Sequence, residues 1–145
     1  MSCCKSLSSR RSFLAAGGVA TATFTLAACA SDPEQETFSG GELTQAVQLD
    51  QLQPGDSVQV AVGKNQVLIH RETEDTIHAF SAVCTHQGCI VAANSASEEP
   101  FVCPCHASNF DKTTGEAVAG PAQLPLTRHN TAVEHGWILV EVEPV

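Results

Sequence analysis

The chain has 145 residues, with 7 Lys and Arg against 16 Asp and Glu, 6 His, 7 Cys, a single Trp and no Tyr. Its formal net charge of −9 excludes nucleic-acid or anionic-lipid binding driven by charge. The length suits one small domain with a limited core, to which covalent or metal crosslinks are expected to add stability.

Residues 1–28 read as an address rather than as structure. Ser9-Arg10-Arg11-Ser12-Phe13-Leu14 leads into an apolar, small-residue run from Phe13 to Ala28, with no acid before Asp32. Arg10 and Arg11 in this setting resemble the twin-arginine export signal, which carries folded proteins across the bacterial cytoplasmic membrane. The run is shorter than the roughly 20 apolar residues a membrane span needs, and it contains Gly17, Gly18, Thr21, Thr23 and Thr25. It ends in Leu26-Ala27-Ala28-Cys29, which resembles a lipobox, so Cys29 is the expected lipidated first residue of the mature chain. An uncleaved anchor is the alternative. Processing would remove Lys5, Arg10 and Arg11 but no acid, leaving four Lys and Arg against 16 acids, about −12. A surface of that sign steers a basic redox partner toward it, or is simply well solvated.

Residues 29–41 then form the lipidated cysteine and a polar, acidic, glycine-ended stretch, read as a flexible tether. The folded domain is placed at residues 42–145. Val58, Val60 and Val62 alternate after the Pro54-Gly55 turn, and Gln66 to His70 follows Gly63-Lys64-Asn65, so the two segments predict a hairpin. Thr76 to Val83 and Phe101-Val102 each deliver the chain into a cysteine-bearing loop. Thr131 to Val133, a His135-Gly136 turn and Trp137 to Val142 predict a closing hairpin. No segment after residue 28 sustains a helical period, and no repeat is visible. The fold class predicted is all-β, a small antiparallel β-sandwich with two loops at one tip.

Those loops are Cys84-Thr85-His86-Gln87-Gly88-Cys89 and Cys103-Pro104-Cys105-His106-Ala107-Ser108. Each offers a thiolate and an imidazole within two or three residues. Iron–sulfur clusters held by four thiolates sit near −400 mV; replacing two thiolates on one iron by neutral imidazoles raises the potential to about −150 to +300 mV. Two Cys and two His also suit tetrahedral zinc, although structural zinc sites usually space ligands as Cys-x(2–4)-Cys and His-x(3–5)-His. Metal-free loops stapled by two disulfides would leave both histidines without a role.

The loop pair resembles the Rieske 2Fe-2S family, whose pattern is Cys-x-His-x-Gly-Cys followed by Cys-x-x-His, and the resemblance covers about residues 41–145. It implies one 2Fe-2S cluster with Cys84, His86, Cys103 and His106 as ligands. It also implies a disulfide between Cys89 and Cys105, as in one branch of the family, and a Gly-Pro loop at Gly120-Pro121. A disulfide persists in oxidising compartments, which agrees with export to the outer face of the cytoplasmic membrane. The family serine that donates to a cluster sulfide corresponds to Ser108. Two residues on, Phe110 stands where high-potential members carry Tyr. Ala107 replaces the usual Gly, and Gln87 stands where respiratory members carry Leu.

The disulfide-bearing branch implies the iron–sulfur subunit of a cytochrome bc-type complex. Its electron donor is quinol or a redox protein, its acceptor a c-type cytochrome or similar protein, and a cytochrome b subunit its neighbour. It would be an oxidoreductase only within that complex. The alternative is a stand-alone Rieske ferredoxin-like carrier, or the small subunit of another exported oxidoreductase. An oxygenase needs a second, mononuclear iron in a domain of a few hundred residues, for which the chain has no room. His70, His78, His129 and His135 lie in no ligand-like cluster, and Phe80 and Trp137 read as core.

Overall fold

The computed structural model describes residue 35 and residues 37–94 and 99–144. The export segment and Cys29 lie outside the described residues. Among the described residues, eleven strands and one short 3-10 turn make up the regular structure. They are β1 (Thr37–Phe38), β2 (Glu42–Gln48), the turn Leu49–Gln51, β3 (Ser57–Val62), β4 (Asn65–Arg71), β5 (Ile77–Ser81), β6 (Phe101–Val102), β7 (Asn109–Phe110), β8 (Ala117–Ala119), β9 (Arg128–His129), β10 (Thr131–Glu134) and β11 (Trp137–Val142). The fold is all-β, as its composition and turn spacing predict, and no described helix is long and apolar enough to cross a membrane.

Three sheets are present, ordered β1-β9-β5-β4-β3, β10-β11-β2 and β6-β7-β8. The middle of the first explains why Val67-Leu68-Ile69 is a continuous apolar run instead of an alternation. Val67, Ile69 and Ala79 pack with Leu52, Val62, Ile138, Val140 and Val142. Their neighbours Leu68 and Phe80 join the opposite cluster with Phe101, Phe110 and Leu126. A strand covered on both faces has no solvent side to keep polar. The two halves of the core are thus the two faces of β4 and β5, and the second contains the buried sulfurs of Cys84 and Cys103.

All the ladders are antiparallel except β1 with β9, where Thr37 pairs Arg128 and Phe38 pairs His129 in parallel. That exception moves the domain boundary, because residues assigned to the tether by their composition already belong to the sheet. The Glu141 carboxylate accepts the Gly40 and Gly41 N–H groups at 2.7 and 2.9 Å, and Gln35 donates to Thr114 O and Leu126 O. Phe38 packs on the His129 ring, centroids 5.5 Å apart. What reads as polar linker is held by carboxylate and carbonyl partners about a hundred residues away.

Strand β2 and the short strands β7, β8 and β9 carry too few alternating apolar residues to stand out in sequence. The closing hairpin turns through His135 and Gly136, with φ of 50° and 78°, the positive pair that a two-residue turn between right-twisted strands requires. Phe80 is fully buried, whereas Trp137 is only half-buried and borders a hollow of about 520 Å³.

Candidate metal centre

The two cysteine loops are built on one hydrogen-bond plan. In the first, Cys84 N–H donates to Cys89 O at 2.8 Å and Gly88 N–H to Cys84 O at 2.8 Å. In the second, Cys103 N–H donates to Ser108 O at 2.8 Å and Ala107 N–H to Cys103 O at 3.0 Å. Each loop is closed at its base by antiparallel pairing, Val83 with Ile90 and Val102 with Asn109. Gly88 and Ala107 occupy the same place in the plan and share a left-handed backbone, φ 76° and 55°.

This plan turns the leading cysteine of each loop inward and its histidine outward. The Cys84 and Cys103 thiols are free and buried, each 2% exposed. His86 is half-buried and His106 exposed. Their rings meet edge to face, centroids 4.8 Å apart and planes at 90°. Cys89 and Cys105 are joined in a disulfide with Cα atoms 6.5 Å apart, which ties the two loops together. The Sγ atoms of Cys89, Cys103 and Cys105 all lie within 4.8 Å of one another. Sulfurs already paired in a disulfide carry no thiolate for a metal, so this trio is not itself a ligand set.

A third loop closes over the other two. Thr85 Oγ donates to Leu124 O at 2.7 Å, and Ala122 N–H donates to the fully buried Ser108 Oγ at 3.2 Å. Gly120 makes this approach possible, since a Cβ there would lie 2.5–2.8 Å from Ala107 O and the Ser108 backbone; its φ is +86°. Pro121 follows, and with Ala122, Gln123, Leu124, Thr85 and His86 it lines a cleft of about 250 Å³ beside the outward histidine. Thr85 carries no sequence signal for its part, because its partner is a backbone carbonyl 39 positions away.

Three of the other histidines, His70, His78 and His129, have partners of their own. His70 Nδ1 lies 3.0 Å from Ser57 Oγ and 3.1 Å from Asp56 O, and burial pushes its pKa below 6.5 despite the backbone hydrogen bond. His129 Nδ1–H donates to Glu141 O at 2.8 Å, and burial likewise lowers it. His78 sits between Glu72 at 2.9 Å and Arg128 at 3.1 Å. That guanidinium also lies 4.8 Å from the centre of the Phe80 ring, a side chain of the buried cluster that contains Cys84 and Cys103.

Two inward thiols and two outward imidazoles could offer two sulfur and two nitrogen donors to an iron–sulfur cluster. That donor set fits a 2Fe-2S cluster, and the fold and its loops define an all-β iron–sulfur domain. The Rieske [2Fe-2S] domain model matches residues 42–130, and the chain belongs to that family. It is an iron–sulfur electron-transfer protein carrying one 2Fe-2S cluster.

A cytochrome b6-f complex iron-sulfur subunit of Cyanophora paradoxa is 39% identical over 107 residues, which is 70% of this chain and 44% of that protein. The solved structure of the cyanobacterial plasma membrane Rieske protein PetC3 from Synechocystis PCC 6803 superposes with a TM-score of 0.53 and 33% identity, covering 60% of this chain and 87% of that one. The ferredoxin of carbazole 1,9a-dioxygenase from Nocardioides aromaticivorans superposes with a TM-score of 0.57 and 29% identity, covering 70% of this chain and 98% of that one. The chain spans about two fifths of the length of the curated relatives it matches.

Proposed function

We propose that this is an exported, membrane-tethered Rieske protein that serves as the iron–sulfur subunit of a cytochrome bc-type complex. Cys84 and Cys103 hold the buried iron, and His86 and His106 hold the outer one. When bound, the cluster supplies one-electron chemistry; the protein supplies the exposed histidine edge at which a donor docks. The observation that carries the reading is the burial of both free thiols beneath two imidazoles whose centroids are 4.8 Å apart. Similarity to cytochrome b6-f iron-sulfur subunits supports the choice of complex.

In this reading Arg10 and Arg11 direct export, Cys29 takes lipid, and the domain works at the outer face of the cytoplasmic membrane. Quinol or a redox protein is the donor, a c-type cytochrome the acceptor and a cytochrome b subunit the neighbour. The Cys89–Cys105 disulfide supports the oxidising side of the membrane. A stand-alone carrier is the second reading, favoured by superposition on almost the whole of a small ferredoxin.

Purification of the tagged protein from detergent-solubilised membranes tests the assignment. Two irons and two sulfides per chain, with b-type and c-type haem and quinol-dependent cytochrome c reduction in the same fraction, are expected. Stoichiometric zinc overturns the ligand assignment. Iron-loaded protein that leaves the membrane without haem partners overturns the complex and leaves the carrier.

A further inference from the structure

The three sulfurs that cannot together bind a metal can react with one another. Cys103 Sγ lies within 4.8 Å of both sulfurs of the Cys89–Cys105 disulfide, whereas Cys84 is not one of that group. Cys103 is buried, Cys89 half-buried and Cys105 exposed. A buried thiol beside a disulfide is shielded from external reagents but not from its neighbour. Exchange needs a sulfur that can reach the disulfide, and Cys103 Sγ stands within 4.8 Å of both of its sulfurs.

We propose that Cys103, once freed from iron, attacks the Cys89–Cys105 disulfide, forms a Cys89–Cys103 bond and expels Cys105 as an exposed thiol. The inference rests on Cys103 being a cluster ligand. One S–S bond forms as one breaks; the electron pair of the broken bond leaves on Cys105 Sγ, and the proton that Cys103 gives up on attack is the one that Cys105 takes, by way of water. No oxidant or reductant is consumed. Attack at Cys89 rather than Cys105 follows from two features. The departing sulfur should be the one whose charge water can solvate, and Cys105 is the exposed one. A Cys103–Cys105 bridge would also close a small ring across Pro104, whose φ is fixed by its own ring.

The exchange opposes re-uptake of the cluster. It consumes a ligand thiol and leaves two loops crosslinked in a form that cannot take the cluster back. A domain exported already folded and loaded keeps its ligands, and one that loses its cluster outside the cell is retired. The new Cys105 thiol, at the surface, becomes open to modification by small thiols and disulfides.

Disulfide mapping by mass spectrometry tests this on the iron-loaded protein, with iron and sulfide assayed in the same sample. Before treatment, denaturation in acid and alkylation should label Cys84 and Cys103 and leave Cys89 linked to Cys105. After iron removal by a chelator under argon, the labels should move to Cys84 and Cys105, with Cys89 linked to Cys103. Loss of iron with the original bridge intact overturns the exchange and leaves the ligand assignment standing. Absence of iron and sulfide at the outset overturns the ligand assignment instead. Cys84→Ser supplies a second arm without chelator or released sulfide: the purified variant should already carry the Cys89–Cys103 bridge, and retention of Cys89–Cys105 in it overturns the proposal.

Discussion

Ser108 Oγ accepts the N–H of Ala122 at 3.2 Å while the serine is fully buried and its carbonyl accepts the Cys103 N–H at 2.8 Å. That bond uses an oxygen lone pair, so the hydroxyl proton would be left to donate to a cluster sulfide, the role that the family resemblance implies for Ser108. Ser108→Ala should therefore have two separable effects. The midpoint potential should fall, by up to about 65–130 mV if the donated bond is worth about 1.5–3 kcal/mol. Stability should fall as well, by about 1–3 kcal/mol, because the buried Ala122 N–H loses its acceptor. Protein-film voltammetry and thermal melting read them apart; an unmoved midpoint with an intact cluster means that the hydroxyl donates elsewhere.

Phe110 lies in the same buried cluster as Cys84 and Cys103, two residues from Ser108. Phe110→Tyr adds a hydroxyl donor, and the midpoint should rise because donated hydrogen bonds favour the more negative reduced state. A drop in potential would place the new hydroxyl away from the sulfides.

Ala107 holds φ at +55° in the position where the first loop has Gly88. A left-handed conformation costs an L-residue roughly 1–2 kcal/mol, and Ala107 is exposed, so its methyl group gains little packing. Ala107→Gly should stabilise the domain by about 1 kcal/mol after the added chain entropy of glycine is discounted. Gly88→Ala should destabilise it by a similar amount. Chemical denaturation of both variants checks the pair, and equal stabilities would mean that the loops relax differently.

How far the chain can be read without coordinates follows from what each residue responds to. The loop residues are legible because their chemistry is carried by residue type and spacing, and the structure folds both loops on one plan. The hairpins at Val58–His70 and Thr131–Val142 are legible because turn residues and alternation mark them locally. The end of the tether is not. Gln35, Thr37, Phe38, Gly40 and Gly41 look like linker until Arg128, His129 and Glu141 supply partners, and no local pattern encodes a partner about a hundred residues away. Thr85 and Ala122 are silent for the same reason.

That docked segment gives a prediction about where the domain begins. Removing residues through Gly41 deletes the β1 pairing, the Phe38 contact with His129 and the amides held by Glu141. At about 1 kcal/mol net per lost hydrogen bond, a loss of about 2 kcal/mol is expected, which is roughly 10 °C in melting temperature for a domain of this size. A chain truncated just before Gln35 should melt like the untruncated mature protein. If both truncations melt alike, the segment contributes nothing to the fold.

Acid sensitivity should set in well above the carboxylate range. Burial lowers the pKa of His129 and of His70 below 6.5 in the folded protein. Unfolding lets each return toward that value, so below it the unfolded chain binds more protons than the folded one, and stability falls as pH falls. The contribution is fully present above about pH 6.5 and is lost as pH drops from there through the lowered folded values. Lys112, His78 and Glu72 act on His70, the first two adding to the effect and Glu72 opposing it; at His129 the Glu141 carbonyl and carboxylate both oppose it. Asp111 and Glu141 give a second, separate loss in more acid solution. Asp111 is lowered because the Thr113 and Thr114 hydrogen bonds outweigh its desolvation, and Glu141 because Asn130 and the Gly41 and Gly40 amides hold its carboxylate. His129→Asn removes the titrating ring while keeping an N–H donor for Glu141 O. Its melting temperature should depend less on pH between 7.5 and 5.5 than that of the parent. Parallel pH profiles for the two would show that the buried ring does not titrate on unfolding and would overturn the assignment.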